Sequence, residues 1–88
     1  MKKLEDVRIV ILQRGWVFVG SYGRKGEECY LDRAKCVRRW GTTKGIGELI
    51  AGPLTSTVLD AVGRVDFHAL TVVATIKCEA AKWLSSLA

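Results

Sequence analysis

Two periodicities alternate along this chain. Val7-Arg8-Ile9-Val10-Ile11-Leu12 is a β-branched, almost unbroken apolar run, the pattern of a strand covered on both faces. Gln13-Arg14-Gly15 interrupts it, and Trp16-Val17-Phe18-Val19 follows, ended by Gly20. Two such runs separated by three residues including glycine predict a hairpin. Residues 22–26 read as a turn, 28–31 as a third strand, 32–34 as a turn and 35–40 as a fourth strand. The pattern then changes. Residues 41–47 are loop-like, and Ile46, Leu49 and Ile50 fall at the spacing of one helix face. Gly45 is placed as the N-cap of this short helix, Glu48 in its first turn and Gly52-Pro53 at its end. Residues 57–59 and 64–67 flank 60–63 as a small hairpin or excursion, and residues 70–76 are apolar enough for a central strand. Ala80, Trp83, Leu84 and Leu87 share one face of a C-terminal amphipathic helix that packs on the sheet. The expected fold class is α+β: a small, mostly antiparallel β-sheet (meander or partly open barrel) with one short helix and a C-terminal amphipathic helix. It makes a single domain over residues 1–88, with residues 1–6 as a short charged arm.

Composition adds a question of association. A chain of 88 residues with 49% hydrophobic residues is rich for a size that buries only about 60–65% of its unfolded surface. Either the core is dense or another subunit covers apolar surface. With open strand edges also to protect, a homo-oligomer is expected. No segment approaches the roughly 18 consecutive apolar residues of a membrane span, so no membrane partner is expected. The start, Met-Lys-Lys-Leu-Glu-Asp, turns acidic at once and lacks a signal-peptide cleavage site, which points to a cytoplasmic product. Three cysteines (Cys29, Cys36, Cys78) make an odd number and read as buried or free thiols.

Charge locates the candidate chemistry. Lys+Arg number 14 and Asp+Glu 9, a net charge of 14 − 9 = +5. Residues 33–47 alone hold Arg33, Lys35, Arg38, Arg39 and Lys44 and no acid, a surplus equal to that of the whole chain. If a strand ends near Trp40 and a helix begins near Gly45, the loop between them presents backbone N–H groups, the Thr42 and Thr43 hydroxyls and the Lys44 ammonium to an anion. Arg38 and Trp40 share a strand face by alternation, and Arg39 takes the other. The order of residues fits neither a Walker A loop nor a dinucleotide fingerprint, which leaves a generic anion nest. The alternative is a solvated strand face, with Glu27, Glu28 or Asp32 pairing Arg33 or Lys35 and Trp40 in the core. A second candidate is Arg14-Gly15-Trp16, a turn displaying a cation beside an indole, unless Trp16 merely starts a buried strand. The expected ligand-binding set is therefore Arg38, Arg39, Trp40, Thr42, Thr43, Lys44 and Gly45, with Arg14 and Trp16.

Catalysis is not expected. His68 is the one histidine, set beside an apolar run and read as structural, and no nucleophile elbow exists. Cys29 and Cys36 are seven apart without a close cysteine pair, so neither a metal site nor a cofactor is expected. Asp60 and Asp66 have no spacing that specifies an acid pair.

The segments Arg14-Gly15-Trp16-Val17-Phe18-Val19-Gly20, Arg39-Trp40-Gly41-Thr42-Thr43-Lys44-Gly45-Ile46-Gly47-Glu48-Leu49, Thr57-Val58-Leu59-Asp60 and Ala74-Thr75-Ile76-Lys77-Cys78 resemble a family of short phage and prophage proteins of unassigned function. The resemblance implies a phage origin and action in the cytoplasm of a bacterial host cell. It makes one expectation concrete: a small oligomeric sponge that sequesters a host immune nucleotide signal, a cyclic nucleotide or ADP-ribose derivative, as an anti-defence protein. The alternatives are a basic nucleic-acid-binding accessory protein and a structural or interaction module.

Overall fold

The structure, a computed structural model, describes residues 6–87. The charged arm expected at residues 1–6 thus lies outside the described residues except for Asp6. There the carboxylate accepts from Arg8 Nε at 2.7 Å, and the carbonyl accepts from Tyr22 N at 3.0 Å.

Among the described residues five strands form one antiparallel sheet: β1 (Val7–Leu12), β2 (Val17–Lys25), β3 (Glu28–Arg39), β4 (Val58–His68) and β5 (Val72–Lys77), in the order β4-β3-β2-β1-β5. A helix, α1 (Ala80–Leu87), follows, and 3-10 turns occupy Gln13–Gly15, Ile46–Ala51 and Ala69–Thr71. The fold is the small α+β class read from the periodicities. β4 and β5 are opposite edges, yet only Ala69–Thr71 separates them along the chain. A connection so short forces the sheet to curl until the end of β4 approaches the end of β1. Leu12 and Phe67 accordingly belong to one core cluster.

Both faces of β1 are covered, as its unbroken apolar run requires. Val7 and Ile9 pack with Val17, Val19, Val37, Leu49, Trp83 and Leu87 beneath α1. Val10 and Leu12 point into the curl with Cys29, Leu31, Ala34 and Phe67. The i, i+3, i+4, i+7 face of α1 behaves as its spacing predicts: Trp83 and Leu87 are buried, and Ala80 and Leu84 pack against the same cluster.

Several expectations are corrected. The turn expected at residues 22–26 is mostly strand, since β2 runs on to Lys25 and the chain turns at Gly26 and Glu27. The third and fourth strands are one 12-residue strand, β3. Arg33 (φ 53) supplies a bulge where a turn was expected, and the pairing with both neighbours shifts there. The hairpin expected around residues 60–63 is likewise a single strand, β4, in which Gly63 (φ 79) absorbs an irregularity. The run at 70–76 does contain a strand, but β5 lies at the edge, because among the described residues its only ladder is with β1. The short helix after Gly45 is a 3-10 segment of six residues, and Gly52 (φ 107) ends it as placed.

Cys78 gives this core a pH dependence. Its thiol is buried beside Trp83 and donates to the Ile76 carbonyl at 3.5 Å. Burial pushes it up to about 11 from an ordinary 9.0. The folded state holds this proton more tightly than the unfolded one, so the contribution is whole below pH 9 and is lost as pH rises toward 11. The urea midpoint of the wild type should therefore fall across that window more steeply than that of Cys78→Ala. Parallel slopes would show that the thiol does not titrate with folding.

Candidate functional site

The site begins at a strained turn. Arg14 (φ 70) and Gly15 (φ 83) are consecutive left-handed residues, and for arginine this conformation costs about 1–2 kcal/mol. Their turn carries the chain outward, and Trp16 returns to extended geometry with its carbonyl accepting from Leu12 N at 2.8 Å. Trp16 does not start a buried strand: Val17 is the first buried residue, while Trp16 remains 56% exposed. The indole lies nearly parallel to Phe18, with ring centroids 6.0 Å apart and planes 9° from parallel. The two side chains are two residues apart, hence on one face.

Cross-strand registers set the surroundings. Phe18 faces Val10 on one side and Cys36 on the other, and Cys36 faces Asp60. Continuing the Phe18–Cys36 register by two residues brings Trp16 level with Arg38. Arg38 Nε meets Asp60 Oδ2 at 3.1 Å, with both side chains about half exposed or more. Such a pair is worth about 0–1 kcal/mol, so a phosphate competes with Asp60 readily.

On the other side of Trp16 lies a shallow, largely open depression of about 390 Å³, lined by Leu12, Arg14, Trp16, Phe67, His68 and Thr71 among others. His68 lines it, with its imidazole held from both sides. Nδ1 accepts from Leu70 N at 3.0 Å, Nε2 faces Glu27 Oε2 at 3.3 Å, and the His68 carbonyl accepts from Thr71 Oγ1 at 2.7 Å. Asp66 meets Arg64 at 3.1 Å and Asp60 meets Arg38, so the two aspartates serve separate ion pairs.

The basic window is spread over more than one surface. Arg33 sits at the bulge, and Lys35 lies level with Val19 on the helix-bearing face. Neither pairs with Glu27, Glu28 or Asp32: Glu27 meets His68, Asp32 meets Arg64 at 3.6 Å, and no ion pair involves Glu28 among the described residues. Arg39 is exposed at the end of β3 opposite Val58. Trp40 is 41% exposed and therefore not core, and its carbonyl accepts from Thr57 Oγ1 at 2.7 Å. Gly41 (φ 66) lies so close to the Ser56 backbone that a Cβ has no room. Thr42 is half-buried beside it.

The expected anion nest exists, and the chain fills it with its own carboxylate. Glu48 Oε1 accepts from Thr43 N at 3.2 Å, and Oε2 accepts from Thr43 Oγ1 at 3.2 Å and Lys44 N at 2.9 Å. Gly45 (φ 119), next to these donors, faces open space. Thr43, Lys44 and Gly45 thus form a carboxylate-locked loop, and only the Lys44 side chain is left for another anion. Glu48→Ala should cost about 1 kcal/mol and speed amide exchange at Thr43 and Lys44 about fivefold. Unchanged exchange at both amides would show that the lock contributes nothing in solution.

The structure therefore brings together Arg14 and Trp16, leaves Arg38 paired with Asp60 one strand away, and sets Thr42, Thr43, Lys44 and Gly45 in a separate loop. Phe18 and Asp60 escaped the sequence reading. Alternation from Trp16 to Phe18 was a usable signal for the first. The second depends on a β3–β4 register that no local pattern encodes. Comparison with family models, with curated proteins and with solved structures finds no match.

Proposed function

We propose that this protein binds single-stranded nucleic acid, without catalysis, on the sheet face that carries Trp16. One observation supports this above all: a large indole, already stacked on Phe18 and more than half exposed, lies between Arg14 and the level of Arg38. Aromatic platforms of this kind hold unpaired bases at about 1–3 kcal/mol each, and neighbouring arginines hold the phosphates. Two further cation–aromatic groupings among the described residues are internally satisfied. Arg8 lies 4.7 Å above Tyr22, and Arg64 lies 4.1 Å above Tyr30. The openness of the Trp16 surface suits a strand that passes across it, and a net charge of +5 suits a polyanion.

The depression beside Trp16 supports a second reading. At about 390 Å³ it falls in the size range of small-ligand sites. In that reading the base of a phosphate-bearing nucleotide enters between Trp16 and Thr71 while Arg14 meets its phosphate. With the resemblance to phage proteins, the ligand would be a host immune nucleotide signal, cyclic or ADP-ribose-derived, sequestered as by a sponge.

Fluorescence anisotropy on oligothymidylates of increasing length, at several salt concentrations, tests the first reading. Affinity should rise with length and fall steeply with salt. Absence of binding at about 100 µM protein in low salt would end it, since even non-specific complexes form in that range. Thermal shift against cyclic oligonucleotides and ADP-ribose isomers tests the second. A ligand present at about 100-fold over its dissociation constant stabilises by about 2.7 kcal/mol, and a flat melting temperature across the panel counts against the sponge.

A further inference from the structure

We propose that Arg38 and Arg39 together hold a phosphodiester of the strand that stacks on Trp16, and that Asp60 competes with this phosphate for Arg38. The inference rests on the single-strand reading above and names the residues that meet the backbone. Its starting point is a bulge at the end of β3. Val37 is level with Leu59, but Arg39, not Arg38, is level with Val58, so β3 contributes one more residue than β4 at this point. An extra residue of this kind re-aims the side chains that follow it. Val37 and Leu59 belong to the helix-side cluster. Val58 precedes Leu59 in β4 and takes the opposite face by alternation. Arg39, level with Val58, shares that face with Cys36 and Phe18, and Trp16 stacks on Phe18 there. Unbroken alternation would have turned Arg39 to the other side, as expected from the sequence. The bulge reverses that expectation.

Arg38 lies on this face too, because its Nε meets Asp60 Oδ2 at 3.1 Å and Asp60 is level with Cys36. Two exposed guanidiniums thus end β3 side by side, one strand away from Trp16. Their charges are unequally met. Asp60 compensates Arg38, whereas Arg39 makes no ion pair among the described residues. One positive charge on this ledge is therefore left for an outside anion. The planar five-donor fork of arginine matches phosphate oxygens, and two neighbouring forks can share one phosphate. The Arg38–Asp60 pair is half exposed or more on both sides, so water screens it and a phosphate exchanges for the carboxylate at little cost. Position selects a chain over a mononucleotide. A nucleotide seated in the depression meets Arg14, and the arginine pair lies on the other side of Trp16. A strand with one base on the indole reaches both. The remaining cations of the basic window are elsewhere: Lys35 is on the helix-bearing face, and Lys44 is in the loop that Glu48 locks.

Anisotropy titrations of the whole chain with oligothymidylates, repeated across a salt series, test the arginine pair. Arg39→Ala should weaken binding about fivefold at about 100 mM salt and lower the slope of log affinity against log salt by about 0.7–1, the signature of one lost phosphate contact. Lys35→Gln removes the same charge from the helix-bearing face and should change affinity by less than about twofold. Asp60→Asn frees Arg38 and should strengthen binding about threefold. That gain should vanish once Arg38→Ala is added. None of the four positions is buried, so circular dichroism and melting temperature should match the wild type. If the wild type binds while Arg39→Ala and Lys35→Gln act alike, the arginine pair is overturned and the Trp16 surface stands. A gain from Asp60→Asn that persists without Arg38 overturns the competition. A wild type that binds no oligothymidylate overturns this inference together with the reading beneath it.

Discussion

Trp83→Ala should abolish cooperative folding at 25 °C or leave it barely detectable. Trp83 is the largest fully buried side chain and lies in the cluster that joins α1 to the sheet. Truncating a buried tryptophan costs about 3–5 kcal/mol in transfer and cavity terms. The indole N–H also donates to the Leu49 carbonyl at 2.8 Å. That carbonyl keeps a second donor, Gly52 N at 3.1 Å, so losing the indole bond adds only about 1 kcal/mol. A chain of 88 residues has roughly 4–13 kcal/mol in total at 0.05–0.15 kcal/mol per residue. The substitution therefore removes an amount comparable with the whole. Trp83→Phe preserves most of the ring packing and should lose about 1–2 kcal/mol, with a cooperative urea transition retained. Near-UV circular dichroism and urea titration distinguish the two variants. A Trp83→Ala protein with a wild-type midpoint would mean that α1 is not part of the folded unit.

The role of Trp83 was legible in the sequence because helix periodicity is local: Ala80, Trp83, Leu84 and Leu87 need no partner to declare a face. The double coverage of β1 was legible for the same reason. What local pattern could not give was strand continuity and order. Residues 32–34 look like a turn because Asp32 and Arg33 are polar, yet the left-handed Arg33 lets β3 run on through a bulge. Residues 60–63 look like a hairpin tip because Asp60 and Gly63 bracket a span of turn length, yet pairing along β3 holds them in β4. β5 looks central because it is apolar, whereas its place at the edge follows from β1 lying between it and β2. The candidate site divides along the same line. Exposure of Trp16 and its stacking on Phe18 follow from one turn and one strand. The dispersal of the basic window follows from a bulge and from Glu48, whose carboxylate reaches back to the loop that was expected to wait for a ligand.

Trp16→Ala should weaken oligothymidylate binding by about 1–3 kcal/mol, roughly 5- to 150-fold, while leaving stability within about 0.5 kcal/mol of wild type. The two halves of this expectation rest on different facts. Stability is spared because the indole is more than half exposed and Val17, not Trp16, enters the core. Affinity is lost because the stacking surface disappears, while Phe18 beneath it is only partly buried and too small to replace it. Trp16→Phe should recover part of the loss, since every base stacks on a smaller ring with less contact. Arg14→Ala should act differently, weakening binding across all base compositions and lowering the slope of log affinity against log salt by about 1. Lys44→Ala, in the loop that Glu48 locks, should change the affinity least of the three. This ordering separates a stacking platform from diffuse attraction. If affinity depended on net charge alone, Arg14→Ala and Lys44→Ala would be equivalent and Trp16→Ala would be silent. That outcome would move the binding surface away from Trp16 while leaving the fold as described.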